Sequence, residues 1–129
     1  MPSKARALVA LLVVLVAVGA IFSPQQVAEL LDRPSSTLGE QINLRATWGG
    51  LLLGVGLAIA FASTSSVGRG VISLVLWIMI GVGAARVTGF VLDGIPGAMQ
   101  WVWLTVEVAI AILCVWILRK KPAKTADET

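Results

Sequence analysis

The sequence predicts an all-α integral membrane protein: a four-helix bundle with one short interfacial helix on its outer side. Composition is the first reason. Of 129 residues, 57% are hydrophobic and 13% charged, and the mean hydropathy is +0.92. An ordinary soluble domain is about 25% charged. The second reason is distribution. The apolar residues fall into four runs, about 7–22, 44–62, 71–92 and 99–118. Each approaches or exceeds the ~17 residues that cross a hydrocarbon core of ~30 Å. Helices satisfy their own backbone groups in lipid, so the runs are expected to be helical. Residues 1–129 then form a single four-span domain. The segment 119–129, basic and then acidic, is expected to be a disordered cytoplasmic tail.

The first span stands behind Lys4 and Arg6. A basic start, an apolar stretch and Val18-Gly19-Ala20 also fit a cleavable signal peptide. Ile21 and Phe22 carry the apolar run past that point, which favours a retained span.

Next comes "SPQQVAELLDRP", which reads as a short helix. Ser23 can cap it, Pro24 suits its first position and Gln26 completes a capping box. Val27, Leu30 and Leu31 share a face, and Pro34 follows the stop. Such a helix lies along the membrane surface; a plain connecting loop is the alternative.

Small residues mark the second and third spans. Gly50, Gly54, Ala58 and Ala62 recur every four residues, as do Gly81, Ala85 and Gly89. Stripes of this kind let helix backbones approach closely in lipid. They serve either packing of spans two and three or a homodimer interface. Gly49 and Gly56 widen the small face, so both uses can hold.

Two turns fix the neighbours. "DGIPGA" joins spans three and four with Asp-Gly and Pro-Gly signals. Those spans are therefore antiparallel neighbours. The segment "STSSVGRG" joins spans two and three in the same way. Trp101 and Trp116 suit opposite membrane boundaries as anchors.

Orientation follows the lysines and arginines. Lys4, Arg6, Arg69, Arg119, Lys120, Lys121 and Lys124 fall on one side, against Arg33 and Arg45 on the other. Cytoplasmic loops hold the excess of such residues. A multi-pass protein of a bacterial inner membrane, with both termini cytoplasmic, is expected. The net charge of +3 resides at the chain ends, so no nucleic-acid partner is implied.

Charges inside the spans are the candidate site. Arg86 lies six residues before Leu92, ~9 Å below the outer boundary. Glu107 lies eight residues past Met99, ~12 Å below it. The depths match within the reach of an arginine, so a direct or water-mediated pair is expected. A lone charge at a helix centre costs ~2.5–3.5 kcal/mol or more. A carboxylate held by the guanidinium fork lowers that cost. Snorkelling could serve Arg86, but not the shorter and deeper Glu107.

Helical spacing extends the site. Asp93 lies seven residues from Arg86; Gln100 and Trp103 lie seven and four from Glu107. Arg45 and Trp48 open span two, with Asn43 close by. The set Arg45, Arg86, Asp93 and Glu107 is formally neutral, as a buried network requires.

Several chemistries are excluded. The chain has no histidine, no tyrosine and one cysteine, Cys114. An intrachain disulfide is ruled out. His-based acid–base catalysis, His metal ligation and the usual haem ligand are ruled out as well. No cofactor and no metal are expected.

"NLRATWGG", "ARVTGFVLDGIPG" and the late glutamate resemble the small bacterial four-helix membrane family catalogued as domain of unknown function 4345. The telling residues are Arg45, Gly49, Gly50, Arg86, Asp93, Gly94 and Glu107. This resemblance covers nearly the whole chain. It implies the four-helix fold and no established activity. A more distant similarity to DoxX-like proteins carries no redox function, since cofactor ligands are lacking.

The residues point to a non-catalytic, outward-facing polar pocket. It would take a small polar molecule, a lipid headgroup or a partner segment. Arg45 and Arg86 would hold an acidic group, Asp93 and Glu107 would orient them, and Trp48 and Trp103 would form apolar walls. The alternative is a structural or assembly subunit of a membrane complex. A small transporter is less supported, because only Cys114 continues the polar line inward from Glu107. An enzyme would need chemistry from Glu107 or Asp93.

Overall fold

Each apolar run forms one long helix. A computed structural model describes residues 3–32, 36–61 and 66–121. Residues 122–129 of the tail expected over 119–129, and expectations resting on Arg33, Pro34 and Ala62, lie outside those residues; Arg119 itself still belongs to the last helix. Among the described residues all regular structure is helical. The spans are Lys4–Phe22 (19 residues), Leu38–Phe61 (24), Val67–Asp93 (27) and Ala98–Arg119 (22), each long and apolar enough to cross a membrane. This is an all-α fold that fits a multi-pass membrane protein.

Every span packs mainly on its neighbours in sequence: first on second, second on third, third on fourth. The first span buries Ala10, Ala17 and Ile21 and exposes Leu8, Leu11, Leu12, Leu15 and Phe22. A helix that is apolar all round suits a lipid surrounding.

The short helix is Pro24–Leu30, with proline in its first turn. Its expected capping box is absent. Ser23 sits at φ −129°, ψ 61°, and its side chain makes no capping hydrogen bond. The chain runs almost directly out of the first span here. The Ser23 N–H still donates to the Gly19 carbonyl, at 2.9 Å. The helix stops at Asp32, which takes a left-handed φ of 52°. Its N–H donates to the Glu29 carbonyl at 3.1 Å, as helix ends often do.

The second span starts at Leu38, six residues before the apolar run at 44. A capping box explains this early start. Thr37 Oγ1 accepts from the Glu40 N–H at 3.2 Å, and the Glu40 carboxylate accepts from the Thr37 N–H at 3.1 Å. Two otherwise orphaned donors are satisfied at once.

At Arg45–Gly50 the same helix widens into a π-helical turn. Adjacent glycines there face different partners. A Cβ on Gly49 would run into Ile21 of the first span, while one on Gly50 would lie 2.5 Å from Val82 Cα of the third. Further along, Gly56 faces Val14 of the first span, and Gly54 faces Trp77 and Ile78 of the third. Gly81 returns the contact to Gly50 and Gly54, and Ala58 and Ala85 are buried. A Cβ on Gly89 would lie 3.2 Å from Ile42 Cγ1. The small-residue stripes therefore pack against one another within the chain.

The third span ends at Gly94, with φ 113°, and the fourth begins at Ala98. At the opposite end of the bundle, arginines cap neighbouring helices. Arg6 donates to the carbonyls of Ile59 and Ala60, ending the second span. Arg69 donates to those of Leu118 and Lys120, ending the fourth. A cation at a helix C-terminus satisfies orphan carbonyls and the helix dipole. The Lys120 ammonium also lies 3.4 Å from the centre of the Trp116 ring.

Candidate functional site: a buried charged clamp

The last third of the third span places Arg86 between the second and fourth spans. Arg86 is 5% exposed. Its Nη2 donates to Glu107 Oε1 at 2.7 Å. Its Nε donates to the same oxygen at 2.9 Å and to Oε2 at 3.2 Å. This is the two-pronged hold that a planar guanidinium offers a carboxylate. The Nη1 donates to Gln100 Oε1 and, at 3.1 Å, to Asn43 Oδ1. Gln100 in turn donates to Asn43 Oδ1 at 3.3 Å. The turn at 94–97 brings Gln100 and Glu107 back alongside the third span. Their spacing of seven sets them on one face, two turns apart.

Arg45 makes a second pair. Its Nε and Nη2 donate to the two oxygens of Asp93, at 2.8 and 2.6 Å. The Nη1 donates to the carbonyl of Ile21, at the end of the first span. Both side chains are sequestered, Arg45 at 8% and Asp93 at 6% exposure. Asp93 closes the third span, just before the left-handed Gly94. The π-helical turn begins at Arg45 itself. Such turns often mark specialised positions in a helix.

The cluster is formally neutral, and every guanidinium nitrogen has an acceptor from the chain. A buried charge is tolerable on these terms, with its partner and its hydrogen bonds in place.

Arg45 and Asp93 come together in one constellation, and Arg86, Gln100 and Glu107 in a second. Trp48 and Trp103 do not enclose them. Trp48 is 42% and Trp103 49% exposed. Trp48 instead lines a groove with Val16, Val27, Leu31 and Leu52, beside the first span and the short helix. The π-helical turn changes the rotation between Arg45 and Trp48, so a spacing of three no longer sets both on one face. The Ile21 carbonyl is a partner that sequence reasoning missed. Asn43 was near at hand in sequence, but its bond to Arg86 needed the early helix start at Leu38. Among the described residues, no group of three or more Asp, Glu, Cys or His is placed to hold a metal ion.

The sequence model of one family, Domain of unknown function (DUF4345), matches residues 4–118. The chain belongs to this family. The match takes in the first three spans, the fourth as far as Leu118, and every member of the clamp. No curated protein and no solved structure matches the chain. The matched range contains Arg45, Arg86 and Glu107. Membership of the family brings no activity with it, so a role has to be argued from the geometry.

Proposed function

We propose that this chain is a non-catalytic structural or assembly subunit of a bacterial inner membrane, built around a charged clamp. Both termini face the cytoplasm, with the basic Arg6, Arg69 and Lys120 on that side. One observation carries the reading. All three nitrogens of Arg86 and all three of Arg45 donate to acceptors of the chain itself. Each arginine already spends the Nε and Nη2 of its fork on a carboxylate of the chain, so the anion that an acidic ligand would supply is built in. The partners also lie on different spans, so the charges fix which helices meet and at what register. Registry is the best-attested use of buried polar groups.

The experiment is to express Arg86→Ala and Glu107→Gln as full-length proteins and purify them from membranes. The clamp reading expects each to lose most of its folded, monodisperse fraction. Should both fold and melt like the parent yet lose a co-purifying small molecule, the clamp reading fails and the pocket reading replaces it.

A further inference from the structure

Glu107 has a second side. Glu107 also lines a groove between the third and fourth spans, about 450 Å³ in volume and walled by Met79, Ile80, Val87, Leu104 and Val108. That volume lies within the range of small-molecule sites, about 300–1,000 Å³. We propose that this groove binds an uncharged lipid bearing a hydroxyl group, and that the hydroxyl donates to Glu107 Oε2.

Three features lead there. The two carboxylate oxygens are unequally used. Oε1 accepts from Arg86 at 2.7 and 2.9 Å, whereas Oε2 accepts at 3.2 Å from an Nε already shared with Oε1. An ionised carboxylate has about four lone-pair sites, so acceptor capacity remains on Oε2. Gly83 places no side chain beside that oxygen on the groove wall: a Cβ there would lie 3.8 Å from Oε2 and 3.9 Å from Leu104 Cδ1. Lastly, the walls are apolar side chains of two neighbouring spans, as an acyl chain requires.

Charge selects the occupant. Arg86 already neutralises Glu107, so an ammonium would bring an unpaired cation and a phosphate an unpaired anion. Eight residues separate Glu107 from Met99 at the start of the fourth span, which sets it ~12 Å inward. Charged headgroups are costly at such a depth. A hydroxyl carries no charge and supplies the donor that an acceptor-only carboxylate needs. Long-chain alcohols and diacylglycerols have this chemistry.

The test uses the full-length protein in phospholipid nanodiscs. The probe is a hexadecanol with a diazirine on its chain, compared with its methyl ether and with the matching primary amine. Photolysis and peptide mapping locate the label. The alcohol should label residues 79–87 and 104–108 at least about tenfold more than the ether, the ratio expected when a hydrogen bond to a charged group is lost. Gly83→Leu fills the groove at contact distance from Oε2, the oxygen that Arg86 uses least, and should abolish this label while the folded fraction is kept. Ala84→Phe, on the exposed wall, takes its place if Gly83→Leu folds poorly. Equal labelling by alcohol and ether, stronger labelling by the amine, or a label that survives the filled groove would each overturn the proposal. None of these outcomes touches the clamp, which is judged by folding alone.

Discussion

Arg45 and Arg86, on adjacent spans, between them bond to all four spans. Arg45 leaves the second span to reach Ile21 of the first and Asp93 of the third. Arg86 leaves the third to reach Asn43 of the second and Gln100 and Glu107 of the fourth. The spans pack in chain order, so their apolar contacts tie each helix only to its neighbours. The two arginines join overlapping triplets, spans one to three and spans two to four. Helices in lipid lack a hydrophobic force drawing them together, so packing and polar bonds carry more of that task.

The clamp should be strongly coupled. Arg86→Ala leaves Glu107 buried without its cation, and Glu107→Ala leaves the guanidinium likewise. Breaking one side of a buried pair costs about 3–5 kcal/mol, while removing both sides costs much less than the sum. Thermal unfolding of both single variants and the double variant should therefore show the double variant close to, or above, the worse single. Arg86→Lys should restore little, because an ammonium cannot reproduce the fork to Glu107 together with the bonds to Gln100 and Asn43. Strict additivity of the two alanine variants would contradict the pairing.

The division of labour between the arginines has a local readout. Arg45→Ala removes the bond to the Ile21 carbonyl, so amide hydrogen exchange should rise most over residues 3–22. Gln100→Ala acts on the other triplet, and exchange should rise most over 98–119. Local opening is reported by exchange protection segment by segment. A uniform rise across all four spans in both variants would mean that the bundle opens as one unit, with no such division.

The sequence made the spans legible because hydropathy needs no knowledge of the partner helix. Arg86–Glu107 was legible too, since equal depth on two helices joined by a tight turn leaves few other geometries. The second-span start was hidden for a simple reason. Glu40, Gln41 and Asn43 lower the local hydropathy, although Thr37-x-x-Glu40 is itself a capping signal. The π-helical turn was out of reach. Six residues ending in Gly-Gly show no period that separates it from an α-helix, and Trp48 was misplaced as a result. Ile21, Ile59 and Leu118 accept through backbone carbonyls. Every residue has one, so no side-chain pattern could single them out.

Glycines in the second and third spans should divide sharply by position. A Cβ at Gly54 would collide with the backbone of Trp77 and Ile78, and those atoms cannot swing aside. Overpacking of this kind costs about 1–3 kcal/mol, occasionally more. Gly19 has nothing within 4 Å of its would-be Cβ, so Gly19→Ala removes only the entropic cost of a mid-helix glycine, about 0.5–1 kcal/mol. Gly54→Ala should lower the melting temperature and Gly19→Ala should hold or raise it. If both move the same way, the close approach of spans two and three is wrong.

Gly94 separates backbone strain from crowding. It sits at φ 113°, ψ −168°, a region open almost only to glycine, where another residue costs about 1–3 kcal/mol. Its would-be Cβ meets nothing within 4 Å, so any penalty in Gly94→Ala comes from the backbone. Gly97 is the matched control: three residues away, equally uncrowded, and at φ −67°. Gly94→Ala should therefore destabilise and Gly97→Ala should not. The loss should also fall on the neighbouring clamp pair, because relaxing φ at residue 94 moves the end of the third span that carries Asp93. A cycle with Asp93→Asn checks this. The Asp93→Asn penalty should shrink in the Gly94→Ala background, since the bond to Arg45 is already weakened there. An undiminished penalty would show that the turn and the clamp are set independently.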